Sequence, residues 1–156
     1  MGIETSYSDL LNRIILRLEE ASKKLKERGY TSRHISPREF YDYMTGETPT
    51  GDTITILDVL DNEYLMIHEV VEISELKKKG IPINKQTVLM VHPSYENHYT
   101  ATEYEMDYAM SRGDCDWLRL RMKHAKSWLE DEDLPQHLIP RYKALMEKFS
   151  KTLKKR

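Results

Sequence analysis

The chain has 156 residues, within the roughly 100–200 of one compact domain, and a composition of 39% hydrophobic and 32% charged residues is too apolar for disorder. Twenty-four Lys and Arg against 26 Asp and Glu leave a net charge of −2, which excludes a polycation that coats nucleic acid. One cysteine, Cys115, excludes an internal disulfide and a cysteine-based zinc site, and no run approaches the about 18 apolar residues of a membrane span or the layout of a secretion signal, so a cytoplasmic single domain over 1–156 is expected.

Glycines and prolines avoid the same long stretches, and those stretches read as helices because Pro breaks helix interiors and Gly weakens them. The first runs from about Ser8 to Arg28, with Leu10, Leu11, Ile14, Ile15, Leu18 and Leu25 on one face and Gly29 where a helix stop belongs. Ser36-Pro37 supplies an N-cap and first helical residue for a short helix to Met44. After a loop from Glu47 to Asp52, a helix capped by Asp61 runs to Lys79 and stops at Gly80. Pro93-Ser94 opens another helix to Arg112, Asp114 caps the next through about Glu130, and a last helix follows Pro140, its basic tail 151–156 fraying.

The expected fold is all-α, an irregular bundle of about five to seven helices with no internal repeat. Two short apolar runs, 53–60 and 87–91, are β-branched enough to be strands, and a small two-stranded ribbon is the structural alternative.

The helix from Tyr64 to Leu76 breaks the amphipathic pattern. Met66, Ile67, Val70, Val71 and Ile73 fill a wide apolar arc, with Tyr64, Leu65 and Leu76 on the other side, which marks a buried helix. Into the remaining arc fall His68, Glu72 and Glu75, with Glu69 beside them. An imidazole and a carboxylate four residues apart reach one point above the helical turn, a geometry that ligates divalent cations. The same residues also fit a solvated face balanced by Lys77, Lys78 and Lys79. His92 and His98 extend the candidate ligand set, and His98 and Glu105 flank the packing face of the following helix about two turns apart.

Trp117, Arg121, His124 and Trp128 recur at spacings of four, three and four beside the stripe of Leu118. The stripe reads either as an anion-binding or partner face, Arg121 being its best phosphate donor, or as a packing face. Cys115, at the start of this helix, has no histidine and asparagine arranged around it for nucleophilic chemistry.

His68-Glu69-Val70-Val71-Glu72 resembles the opening of a zinc metalloprotease helix, with Glu72 where that motif has its second histidine. Glu69 and Glu72 resemble the first half of the MazG-type pyrophosphatase motif, whose second half has a counterpart only at Glu130 and Asp133. The adjacent His-Asp pair of HD-domain phosphohydrolases is absent. The stretches from His68 to Gly80 and from Gly113 to Leu129 are similar to uncharacterised small helical proteins of archaea, a resemblance that implies a fold and no activity.

The expectation is therefore a divalent-metal-dependent hydrolase acting on a phosphorylated small molecule or nucleotide. His68, Glu72, His92 and His98 would ligate the cation, Glu69 would act as general base on water whose pKa the cation lowers, and Arg121 would orient phosphate. The alternative is a non-catalytic helical binding or assembly module that forms a homo-oligomer through the Trp117/Trp128 face. No membrane association is expected.

Overall fold

The computed structural model describes residues 6–46, 55–91 and 94–154. Among them the secondary structure is entirely helical: α1 (Tyr7–Glu27), α2 (Pro37–Thr45), α3 (Ile56–Leu60), α4 (Glu63–Lys78), α5 (Thr87–Val91), α6 (Tyr95–Ser111), α7 (Cys115–Leu129) and, after a 3-10 turn over Gln136–Leu138, α8 (Ile139–Lys154). The all-α class holds, with eight α-helices among the described residues instead of five to seven, and no strand forms there. No described helix is long and apolar enough to cross a membrane.

The extra helices are the two ambiguous runs. Thr55 and Asp58 form a reciprocal capping box, Asp58 N–H donating to Thr55 Oγ1 at 3.2 Å and Thr55 N–H to Asp58 Oδ2 at 2.9 Å. That local pairing starts α3 despite the β-branched side chains. At the second run Asn84 Oδ1 accepts from Gln86 N–H at 2.9 Å, and the buried Thr87 hydroxyl donates to the Pro82 carbonyl at 2.8 Å, which curls the chain into α5. In place of Asp61, the cap of α4 is Asn62, whose Oδ1 accepts from Tyr64 N–H and Leu65 N–H at 2.9 and 3.0 Å. Asp61 instead ends α3 and pairs with Arg13. The basic tail continues α8 as helix to Lys154; residues 155–156, like 53–54, lie outside the described residues.

Helix α4 is the centre of the bundle. Ile67, Val70, Val71 and Ile73 have no solvent exposure, and burying each contributes about 1.5–3 kcal/mol. Its most extensive packing is on α6, while α1 and α3 cover other parts of its surface. Around this pair, α2 lies on α1, and α7 and α8 pack on α6 and on each other. Ile14, Leu18, Ala21 and Leu25 form the buried face of α1, and Ile15 is left 38% exposed.

Helices α1 and α4 end alike. Gly80 N–H donates to the Lys77 carbonyl at 3.0 Å and Ile81 N–H to the Leu76 carbonyl at 3.1 Å, a Schellman pattern repeated at Gly29 and Tyr30. Gly80 has φ +77°, and a Cβ there would meet nothing within 4 Å, so its requirement is purely conformational. Gly80→Ala should therefore lower unfolding free energy by about 1–2 kcal/mol, measured as a shift of the urea midpoint with an unchanged slope.

Candidate functional site

Helices α2, α6 and α7 converge on the polar face of α4. One turn of α4 brings His68 and Glu72 together, with His68 Nε2 3.1 Å from Glu72 Oε2. The opposite ring nitrogen, Nδ1, lies 2.8 Å from Oε1 of Glu105 on α6, a residue with no solvent exposure. Helix α7 closes the far side of Glu105. Arg121 Nη2 donates to Oε1 at 2.9 Å and Trp117 Nε1 donates to Oε2 at 2.7 Å. Arg121 Nε approaches Oε2 at 2.7 Å as a charge contact, without the alignment of a hydrogen bond. From α2, the Tyr43 hydroxyl donates to Glu72 Oε1 at 3.0 Å.

The result is a chain of alternating charge, Glu72–His68–Glu105–Arg121. Burial disfavours the imidazolium of His68, yet the hydrogen bonds it donates to Glu105 and Glu72 outweigh it and push the pKa up to about 10. For Glu72, burial favours the neutral acid, and the hydrogen bond and charge of His68 override it, bringing the carboxyl down to about 2. Glu105 is held below the ordinary carboxylate value against its burial, chiefly by His68, then by Arg121 and Trp117. Burial lifts the Tyr43 hydroxyl well above its usual range, and the charges of Glu72 and Glu69 reinforce it, so it remains a proton donor.

His98 completes the cluster. Its ring meets that of His68 at a centroid distance of 5.0 Å and that of Trp128 at 4.5 Å, both edge to face. Burial and the neighbouring charge of His68 lower its pKa to about 4, so it is neutral at physiological pH. His68, Glu72 and His98 each bring a ligand atom within 4.8 Å of the others. Among the described residues, no hydrogen bond reaches the His98 ring. An open cavity of about 210 Å³ lies against it, lined by Tyr43, Glu72, Val88, Val91, Ser94, Tyr95 and His98.

Three of the four expected ligands are thus adjacent; His92 lies outside the described residues. Glu69 is half-buried and outside the three-ligand group, and its negative charge helps raise the pKa of the Tyr43 hydroxyl. Arg121 faces Glu105 and donates on its other side to His124 Nδ1 at 3.1 Å, with its guanidinium 5.1 Å from the Trp128 ring centroid. Neither Trp117 nor Trp128 is exposed: Trp117 stacks on Tyr64 at 5.1 Å, and Trp128 packs on His98 and Tyr142. Glu105 follows His98 by seven residues and so shares its helix face, a spacing visible in the sequence, whereas nothing in the sequence ties Tyr43 to Glu72.

In a chelating buffer these shifts act on stability in opposite directions. An unfolded imidazole deprotonates near 6.5, while folded His68 holds its proton to about 10, so its contribution is complete below 6.5 and is lost as pH rises toward 10. His98, depressed to about 4, contributes above 6.5 and loses that contribution as pH falls toward 4. Glu72 adds a further loss as pH falls from 4.5 toward 2. Urea midpoints should therefore peak near neutrality, and His68→Gln should flatten the alkaline decline.

The chain matches no protein-family model, no curated protein and no solved structure, so its functional reading rests on this geometry.

Proposed function

We propose that the chain binds a divalent cation through His68 Nε2, Glu72 Oε2 and His98, and uses it to hydrolyse a small phosphorylated molecule. The observation that carries this reading is the His98 ring, which has no hydrogen bond among the described residues and stands within ligand reach of His68 and Glu72 at a cavity wall. His98 is half-buried at that wall, and a cation held there would be reached by ligand atoms of all three side chains. Two histidines and one carboxylate form a donor set of catalytic zinc and non-haem iron centres, which leave positions open for water and substrate.

The cavity of about 210 Å³ is open to solvent and leaves room beside the cation for the phosphate of a small molecule or of a nucleotide. With Arg121 directed at Glu105, recognition of the phosphate falls to the cation. Glu69, whose charge is felt at the Tyr43 hydroxyl, is the proposed general base. A single cysteine fits a reducing compartment such as the cytoplasm.

A second reading has its own support. The charges of Glu72, His68, Glu105 and Arg121 already balance within the protein, as they would in a non-catalytic helical binding or assembly module. Metal analysis and calorimetric titration with Zn²⁺, Mn²⁺ and Mg²⁺ separate the two. The first reading expects one ion per chain, a rise in melting temperature on loading, and loss of both in His98→Ala with the fold retained. Glu69→Gln should keep the ion and lower the rate of phosphomonoester hydrolysis by about 100-fold or more. A wild-type protein that takes up none of the three ions and melts at an unchanged temperature would overturn the first reading and favour the second.

A further inference from the structure

Glu105 is the most deeply enclosed charged side chain of the cluster, and it does not line the cavity beside His98. Oε1 accepts from His68 at 2.8 Å and from Arg121 Nη2 at 2.9 Å, while Oε2 accepts from Trp117 Nε1 at 2.7 Å. Each of these donors is anchored in turn: Trp117 by stacking on Tyr64, and Arg121 by His124 and the Trp128 ring. A carboxylate held from three sides cannot rotate away from the imidazole. In the ion-free protein His68 is protonated and Nε2 faces Glu72 Oε2 at 3.1 Å; a cation would displace that Nε2 proton, and the imidazole left donating from Nδ1 to Glu105 would then offer the Nε2 lone pair.

We propose that Glu105 is the positioning residue of the cation site: it holds His68 as the Nδ1–H tautomer so that Nε2 is presented to the metal, and Arg121 cancels its charge so that this orientation adds no negative charge at the ion. The inference rests on the cation site proposed above. Its electrostatic consequence concerns the substrate. Once the ion has displaced the Nε2 proton, His68 is neutral and Glu105 is offset by Arg121, so Glu72 is the one uncompensated carboxylate of the described cluster. A divalent ion there keeps one net positive charge, which an anionic phosphate oxygen would neutralise. Without Arg121, Glu105 would remove that charge.

The test uses Co²⁺ as the probe, followed by its visible absorption and by calorimetry, together with ¹⁵N-histidine NMR of the zinc-loaded protein. Two variants are compared with wild type. Glu105→Gln keeps the shape but leaves Arg121 without its charge partner, and it risks misfolding. Glu105→Leu with Arg121→Met removes the buried pair together, a replacement that is often neutral or stabilising. Both that fold should bind Co²⁺ about 10–100-fold more weakly than wild type, with an altered absorption band and a mixture of His68 tautomers. Wild-type affinity and a single Nδ1–H tautomer in the folded double variant would overturn the role of Glu105 while leaving the cation site standing. Failure of wild type to bind Co²⁺ or Zn²⁺ at all would overturn the cation site itself.

Discussion

The contact between Glu105 and His68 organises the polar centre of this bundle. It links the two helices that pack most extensively on each other, α4 and α6, and both of its members are almost fully removed from water. Moving an ion into such surroundings costs several kcal/mol even after relaxation, so the charge of each group is sustained by the other. Arg121 and Glu72 extend the pair at its two ends, and the alternation of sign makes the buried chain neutral as a whole. Trp117 and Tyr43 then saturate carboxylate oxygens that would otherwise lack donors.

That polar chain is carried by an unusually apolar helix. The fully buried aliphatic residues of α4 contribute enough on either side of His68 to hold the helix in the centre of the molecule despite the desolvation of its ionisable groups. Position in the bundle is thus set by the hydrophobic effect, which has no direction, while rotation about the helix axis is set by hydrogen bonds to α2 and α6, which do. His98 differs from the others. Its ring is positioned by packing against His68 and Trp128 and stays neutral, the state in which an imidazole ligates metals.

Several features were legible in the sequence because they are local. Gly29 and Gly80 end α1 and α4 where the positive φ demands glycine, Ser36-Pro37 and Asp114 begin α2 and α7, and the four-residue spacing of His68 and Glu72 brings their side chains together. The residues around 56–60 and 87–91 were less legible because their preferences conflict. β-branched side chains favour a strand, the Thr55–Asp58 box and the turn at Asn84 favour a helix, and five residues are too few for periodicity to arbitrate. The Trp117–Trp128 stripe was plain as a pattern, but periodicity does not say whether a stripe meets solvent, a partner or the chain's own core.

The sequence by itself determined the ends of the long helices α1, α6 and α7 to within a residue or two, that α4 is too apolar to lie on a surface, and which side chains share a helical turn, since all three follow from interactions over a few residues. Only the tertiary structure decided that Glu105 meets His68 across 37 positions, that Tyr43 reaches Glu72 across 29, and that Arg121 turns inward to a carboxylate. Those pairings depend on which helices become neighbours and how each is rotated, and that is settled by how the apolar faces of all the helices fill one common interior.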